Sequence, residues 1–139
     1  MVVQNKGIEK MCCFYVSEFH LEMILVPYIN EKIDESITIL TQKNLKETLG
    51  TLISKMNLKQ ENKQKILELG WDGEERIKEN SNIIIIGSKE YIQNKNEEIK
   101  NKKALSVLDC YNFDEEKDNM NNIIKEYKNT LNTLGKNTF

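Results

Sequence analysis

The sequence predicts an α/β domain in which a parallel sheet of four strands is covered by helices on both faces. Short apolar runs of strand length alternate along the chain with longer segments whose apolar residues recur at helical spacing. The runs are continuous and do not alternate with polar residues, which is typical of parallel strands buried on both faces. The predicted order of elements is β-α-β-α-α-β-α-β-α, an arrangement that favours a three-layer α/β/α architecture.

Four apolar runs are the predicted strands. The third is the clearest, because four consecutive isoleucines are β-branched and favour a strand over a helix. The first run carries two adjacent cysteines, whose side chains should enter opposite faces of the sheet and behave there as small apolar groups. The predicted strands are residues 11–16, 36–40, 82–86 and 104–108.

Five segments with apolar stripes are the predicted helices: residues 18–32, 44–56, 58–69, 91–103 and 115–134. Ser17 is well placed to cap the first helix, and Pro27 lies inside it, where it either kinks the helix or divides it. Gly70 and Gly135 are expected to end the third and the last helix. Trp71, which follows Gly70, is expected to be a packing anchor rather than a platform for a ligand.

The alternation does not fix the order of the strands within the sheet. A flavodoxin-like order, 2-1-3-4, would place the switch point between strands one and three. A Rossmann-like order such as 3-2-1-4 is the alternative, and it keeps strand one next to the switch point. Residues 1–139 are predicted to form a single domain, with residues 1–9 as a flexible N-terminus.

Composition and charge exclude some classes of function. The formal net charge is -2, and lysines are interleaved with acidic residues, so the basic surface of a nucleic-acid binder is not expected. The start of the chain lacks the apolar segment of a signal peptide, and the apolar runs are too short to cross a bilayer. Together with the odd count of three cysteines, this predicts a cytoplasmic protein with reduced thiols and no membrane association.

A ligand of an open parallel sheet is expected outside the carboxyl ends of the strands. Serine follows both the first and the third predicted strand, where backbone N–H groups and the dipole of the next helix can hold an anion. Simple capping of the helices explains the same serines. The candidate ligand-binding residues at this edge are Ser17, Glu18, His20, Gly87, Ser88 and Lys89.

Catalytic and metal chemistry have weaker support in the sequence. His20 is the only histidine, and the positive end of a helix favours its neutral form, which can act as a base or a ligand. Ser17 and His20 are therefore the catalytic candidates. No cofactor or metal is predicted, because the chain lacks a C-x-x-C pair, a dinucleotide fingerprint and a P-loop.

The preferred functional prediction is a non-catalytic module that recognises a partner protein or a small anionic ligand at the carboxyl edge of the sheet. Self-association through a helical face is a further expectation. The alternative is a small enzyme or phosphotransfer protein that uses Ser17, His20, Ser88 and Lys89 at the same edge. A redox sensor that uses Cys110, or the adjacent Cys12 and Cys13, is a third and weaker hypothesis.

Overall fold

The computed structural model describes residues 8–73 and 76–138. These residues form an α/β domain with one six-stranded sheet between two layers of helices, so the predicted fold class is confirmed. The segment predicted to be a flexible N-terminus, residues 1–9, lies mostly outside the described residues. Glu9, its last residue, already belongs to the first strand.

The sheet has the strand order β2-β3-β4-β1-β5-β6. Its first five strands are parallel to one another, and only β6 runs antiparallel, as the second strand of a hairpin with β5. The predicted count of four strands is therefore too low. The strands are β1 (Glu9–Tyr15), β2 (Ile37–Thr41), β3 (Ser81–Ile86), β4 (Ala104–Asn112), β5 (Asn129–Asn132) and β6 (Gly135–Thr138).

The helices are divided between the two faces of the sheet. They are α1 (Glu18–Glu31), α2 (Lys46–Lys55), α3 (Gln60–Leu67), α4 (Lys89–Ile99), and the short α5 (Phe113–Glu116) and α6 (Met120–Ile124), which a single 3-10 turn connects. Pro27 lies inside α1 without ending it. The longest helix has 14 residues, and no helix in the described part of the chain has the length and apolarity that a membrane crossing requires.

Two apolar cores follow from the alternation of side chains along the buried strands. On one face, Met11 and Cys13 of β1 pack with α1, α2 and α3 in the first core. On the other face, Cys12 of the same strand packs with α4 and α6 in the second core. All six residues of β3 are buried, as the continuous isoleucine run predicts.

The predicted strand orders were wrong, because β4 lies between β1 and β3. β1 and β4 pair over seven consecutive positions, from Glu9 opposite Ser106 to Tyr15 opposite Asn112. Every central strand of such a sheet has the same continuous apolar pattern, so the pattern is equally compatible with several orders. The consequence for function is that the ends of β1 and β3 are not neighbours.

The predicted helix over residues 115–134 was also wrong. In its place the chain forms α5, α6 and the β5–β6 hairpin. Ile123 and Tyr127 pack into the second core, but Leu131 packs into the first core on the opposite face of the sheet. A single helical stripe cannot reach both faces, so the regular spacing of these residues does not reflect a helix. Gly135, expected to end the helix, instead has a φ of 112° within the hairpin, a conformation that favours glycine.

Candidate binding edge of the sheet

The carboxyl ends of the parallel strands meet at one edge of the sheet, and all six predicted site residues lie there. Ser17, Glu18 and His20 lie where β1 leads into α1. Gly87, Ser88 and Lys89 lie where β3 leads into α4. Because β4 separates the two strands, the two junctions are two strand spacings apart, about 10 Å. The serine groups do not converge at a switch point between adjacent strands.

The β1–α1 junction is fixed by local hydrogen bonds. Ser17 is the N-cap of α1, and its Oγ accepts a hydrogen bond from the backbone N–H of His20 at 3.1 Å. The ring Nδ1 of His20 accepts from the backbone N–H of Val16 at 3.0 Å. Nδ1 therefore carries a lone pair, and the ring proton of the neutral imidazole lies on Nε2. The side chains of Ser17 and His20 thus each bond to a backbone N–H group. Neither of these bonds is the serine–imidazole hydrogen bond that a catalytic pair would need.

The β3–α4 junction has the same kind of cap. Ser88 Oγ accepts from the backbone N–H of Tyr91 at 3.1 Å, and the N–H of Ser88 donates to Gln42 Oε1 at 2.7 Å. A Cβ on Gly87 would lie 2.5 Å from Gln42 Oε1 and 2.6 Å from the ring of Tyr91. Close approach of these two neighbours therefore favours glycine at this position. Lys89 is the first residue of α4.

An open groove lies beside the β1–α1 junction, between α1 and α2. It has a volume of about 360 Å³, and its walls are mainly apolar. Phe19 lines it and is 61% exposed, and the neighbouring Val16 is 57% exposed. We call it the α1–α2 groove; its lining residues are Glu18, Phe19, Glu22, Glu47, Thr48, Thr51, Leu52 and Lys55.

Glu22 is a residue of this groove that the sequence analysis missed. It is only 1% exposed, and its Oε2 accepts a hydrogen bond from Thr48 Oγ1 of α2 at 2.5 Å. Burial raises the pKa of Glu22, while the bond from Thr48 acts in the opposite direction and the charge of Glu18 adds to the increase. The sequence carries a signal for it, because Glu22 lies between Leu21 and Ile24 on the buried side of α1.

Asp109 is the second buried carboxyl group that the sequence analysis did not assign. It lies in β4, is fully buried, and accepts hydrogen bonds from Asn96 Nδ2 at 3.2 and 3.3 Å and from Tyr127 Oη at 2.5 Å. Burial raises the pKa of Asp109. The hydrogen bonds from Tyr127 and Asn96 and the charge of Lys10 oppose the increase, and the charge of Glu126 adds to it. The sequence signal for this group is a charged residue that directly follows the fourth predicted strand and precedes the apolar Cys110 and Tyr111.

The hydroxyl groups around Asp109 form a chain with a definite direction. Tyr127 has one hydroxyl proton and donates it to Asp109. In the bond of 2.7 Å between Tyr111 and Tyr127, the donor must therefore be Tyr111. Lys10 Nζ lies over the ring of Tyr127, 5.6 Å from its centre. The cluster holds the segment that follows α6 against the sheet.

The three cysteines lie in the cores and not at the edge. Cys12, Cys13 and Cys110 are fully buried and free. Burial is the main cause that raises the pKa of Cys12 to about 12, and it also raises the pKa of Cys110 well above its usual value. All three thiols are fully buried, and buried structural cysteines are inert, so we expect none of them to react in the folded protein.

We expect no thiol of the folded protein to react with a disulfide reagent such as DTNB at pH 8. All three should react once guanidinium unfolds the chain, and the absorbance of the released thiolate measures the reaction. Ser54→Cys provides the control, since this position is exposed on α2 and should react at once in the folded protein. Rapid labelling of a native cysteine without unfolding would instead favour the redox-sensor hypothesis.

Neither comparison with known proteins nor the arrangement of possible metal ligands assigns a family or a metal site to the described structure. No family model, curated protein or solved structure significantly matches the chain. Among residues 8–73 and 76–138, no three His, Cys, Asp or Glu side chains are grouped closely enough to hold a metal ion. The surface and the chemistry of the carboxyl edge are therefore the basis for a functional proposal.

Proposed function

We propose that the domain is a non-catalytic binding module that recognises a partner protein at the carboxyl edge of its sheet, through the β1–α1 junction. The observation that carries this proposal is the exposure of Val16 and Phe19. In the part of the chain that the structure describes, four large apolar side chains are exposed. Val16 and Phe19 lie three positions apart at the β1–α1 junction, and Phe19 also lines the open groove. The other two, Leu105 and Leu134, lie on separate elements.

The state of the serine hydroxyls supports a protein partner over a small anion. Ser17 Oγ and Ser88 Oγ each accept a backbone N–H of their own helix, so the first turn of α1 and of α4 is already capped. The exposed apolar side chains of Val16 and Phe19, in contrast, are not buried by a neighbouring element of the domain. Their burial against a partner would be favourable by about 25 cal/mol per Å² of apolar surface.

The same proposal includes a location in the cytoplasm. Its support is chemical: three unpaired cysteines are compatible with a reducing compartment, in which structural disulfides are rare. Self-association through the same edge is a competing outcome, and the experiment below distinguishes it from recognition of a different protein.

The test is site-specific cross-linking from the proposed surface. A photoreactive phenylalanine analogue replaces Phe19 in the full chain, and the same analogue replaces Leu134 as the matched control, because Leu134 is 95% exposed in the β5–β6 turn. We expect position 19 to give a cross-linked product with a different protein, and position 134 not to give it. The partner is then purified and its affinity is measured for the wild-type chain and for Phe19→Ser.

Loss of affinity by about tenfold or more in Phe19→Ser is the expected result, since tenfold corresponds to about 1.4 kcal/mol and the variant removes most of an exposed aromatic contact. Circular dichroism establishes that the variant is folded. Equal products from both positions, a product formed only with a second copy of the chain, or unchanged affinity in Phe19→Ser would each contradict the proposal.

A further inference from the structure

We infer that the partner segment recognised at the α1–α2 groove is an amphipathic helix with basic side chains next to its apolar face. This inference rests on the proposed function and specifies the chemistry of the partner. Three carboxyl groups line the groove, those of Glu18, Glu22 and Glu47, against the single ammonium group of Lys55. The walls between them are largely apolar, with Phe19 and Leu52 as the largest side chains.

The charges of the groove are separated along its length. Glu18 and Glu47 lie in the first turns of α1 and α2, and both helices begin at the carboxyl edge of the sheet. Lys55 lies in the last turn of α2, eight positions after Glu47, which corresponds to about 12 Å along the helix axis. A bound helix should therefore place its lysine or arginine side chains near the sheet edge and uncharged residues near Lys55.

Glu22 gives the acidic end of the groove its specificity. Its carboxyl group is buried and has already lost most of its hydration, and only the bond from Thr48 is described for it. A cation from the partner would stabilise the ionised form, since charged partners in a shielded environment interact more strongly than in water. A neutral or acidic partner segment would leave the three carboxyl groups without compensation, which disfavours its binding.

A helix is the form of partner that fits a groove between two helices. α1 and α2 are packed neighbours, and the groove runs between their exposed sides. Helices pack ridges of side chains into grooves of this kind, and an amphipathic helix supplies apolar anchors at intervals of three and four residues. The apolar face would contact Phe19 and Leu52 while the basic residues flank it.

Selection from a library of random peptides, each long enough for three helical turns, tests the inference on the full-length chain. The peptides are selected for binding to the wild-type protein and counter-selected against Phe19→Ser. We expect the enriched peptides to be net positive, with apolar residues at helical spacing. Their affinity is then measured for Glu22→Gln and Glu47→Gln, and for Glu31→Gln as the matched control, since Glu31 is exposed at the far end of α1.

The expected result is a loss of affinity of about tenfold in Glu22→Gln and Glu47→Gln at low salt, with no change in Glu31→Gln. Enriched peptides that are neutral or acidic, or that bind the two groove variants as well as the wild type, would overturn the inference. Such peptides would still lose binding in Phe19→Ser, so recognition at this edge would stand. If no peptide is enriched but the Phe19 cross-link is obtained, the inference of a helical partner segment is wrong, whereas recognition of a protein at this edge still stands.

Discussion

Replacement of Trp71 by alanine is expected to lower the free energy of unfolding by about 4 kcal/mol, the typical cost of removing a large aromatic side chain from a core. Trp71 is fully buried in the first core, and its Nε1 donates a hydrogen bond of 2.7 Å to the backbone carbonyl of Ile66. Its own carbonyl accepts from the N–H of Leu45 at 2.8 Å. Through its side chain and its backbone carbonyl, Trp71 therefore joins the end of α3 to the start of α2.

The matched variant is Trp71→Phe, which keeps an aromatic ring in the core but loses the bond to the carbonyl of Ile66. We expect it to cost less than the alanine variant. Urea unfolding followed by circular dichroism measures both, because Trp71 is the only tryptophan and its fluorescence is lost in both variants. A cost below about 0.5 kcal/mol for Trp71→Ala, the range of surface substitutions, would show that this side chain does not anchor the core.

Burial on both faces is the property of this fold that the sequence could predict. β3 and β2 are buried along their entire length, and the predominance of β-branched residues in both strands is compatible with that environment. The positions of Ser17 and Ser88 as helix caps were also predictable, since capping depends on residues within three positions of the serine. Such local features require no knowledge of which strands are neighbours.

Features that depend on distant pairing could not be predicted in this way. The C-terminal segment has helical spacing at Ile123, Tyr127 and Leu131, but these side chains enter two different cores. The choice between a helix and a strand was decided by pairing of β5 with β1, which is more than a hundred residues away in the chain. For the same reason the strand order could not be obtained from the alternation of elements.

The partners of the two buried carboxyl groups could not be predicted from the sequence either. Glu22 is bonded to Thr48, 26 positions later, and Asp109 is bonded to Tyr127, 18 positions later. A sequence shows that a charge lies on an apolar stripe, but not which group compensates for it. The sequence therefore placed the candidate residues at the two strand–helix junctions of the carboxyl edge, but it did not indicate the α1–α2 groove or the cluster around Asp109.

The buried Asp109 should make the stability of the protein depend on pH with a definite sign. Its pKa in the folded chain is raised, so between the unfolded and the folded pKa the native state binds more protons than the unfolded state. The contribution of this group to the free energy of unfolding must then fall as pH increases from about 4 through the folded pKa. Above the folded pKa the cost of burying the charge is fully present, and it is relieved when acid protonates the group.

Two variants separate the charge of Asp109 from its hydrogen bonds. Asp109→Asn removes the titration, so the free energy of unfolding of this variant relative to the wild type should increase as pH is raised from about 4 to neutral pH. Asp114→Asn is the control for the chemical change itself, because Asp114 is exposed on α5. Urea unfolding at several pH values measures the difference, and a constant difference for Asp109→Asn would contradict the assignment.

Tyr127→Phe tests the opposing contribution within the same cluster. The hydroxyl of Tyr127 donates to Asp109 and partly compensates for the burial of its charge, so its removal should cost about 2 kcal/mol where the carboxyl group is ionised. In acid the protonated group needs this donor less, and the cost of the variant should decrease. A cost that is the same at both ends of the pH range would mean that the hydroxyl contributes packing alone. Two trends are therefore expected together. In acid, the loss of unfolding free energy in Tyr127→Phe becomes smaller; towards neutral pH, the unfolding free energy of Asp109→Asn rises relative to the wild type. Both trends follow from ionisation of the same buried carboxyl group in the folded protein.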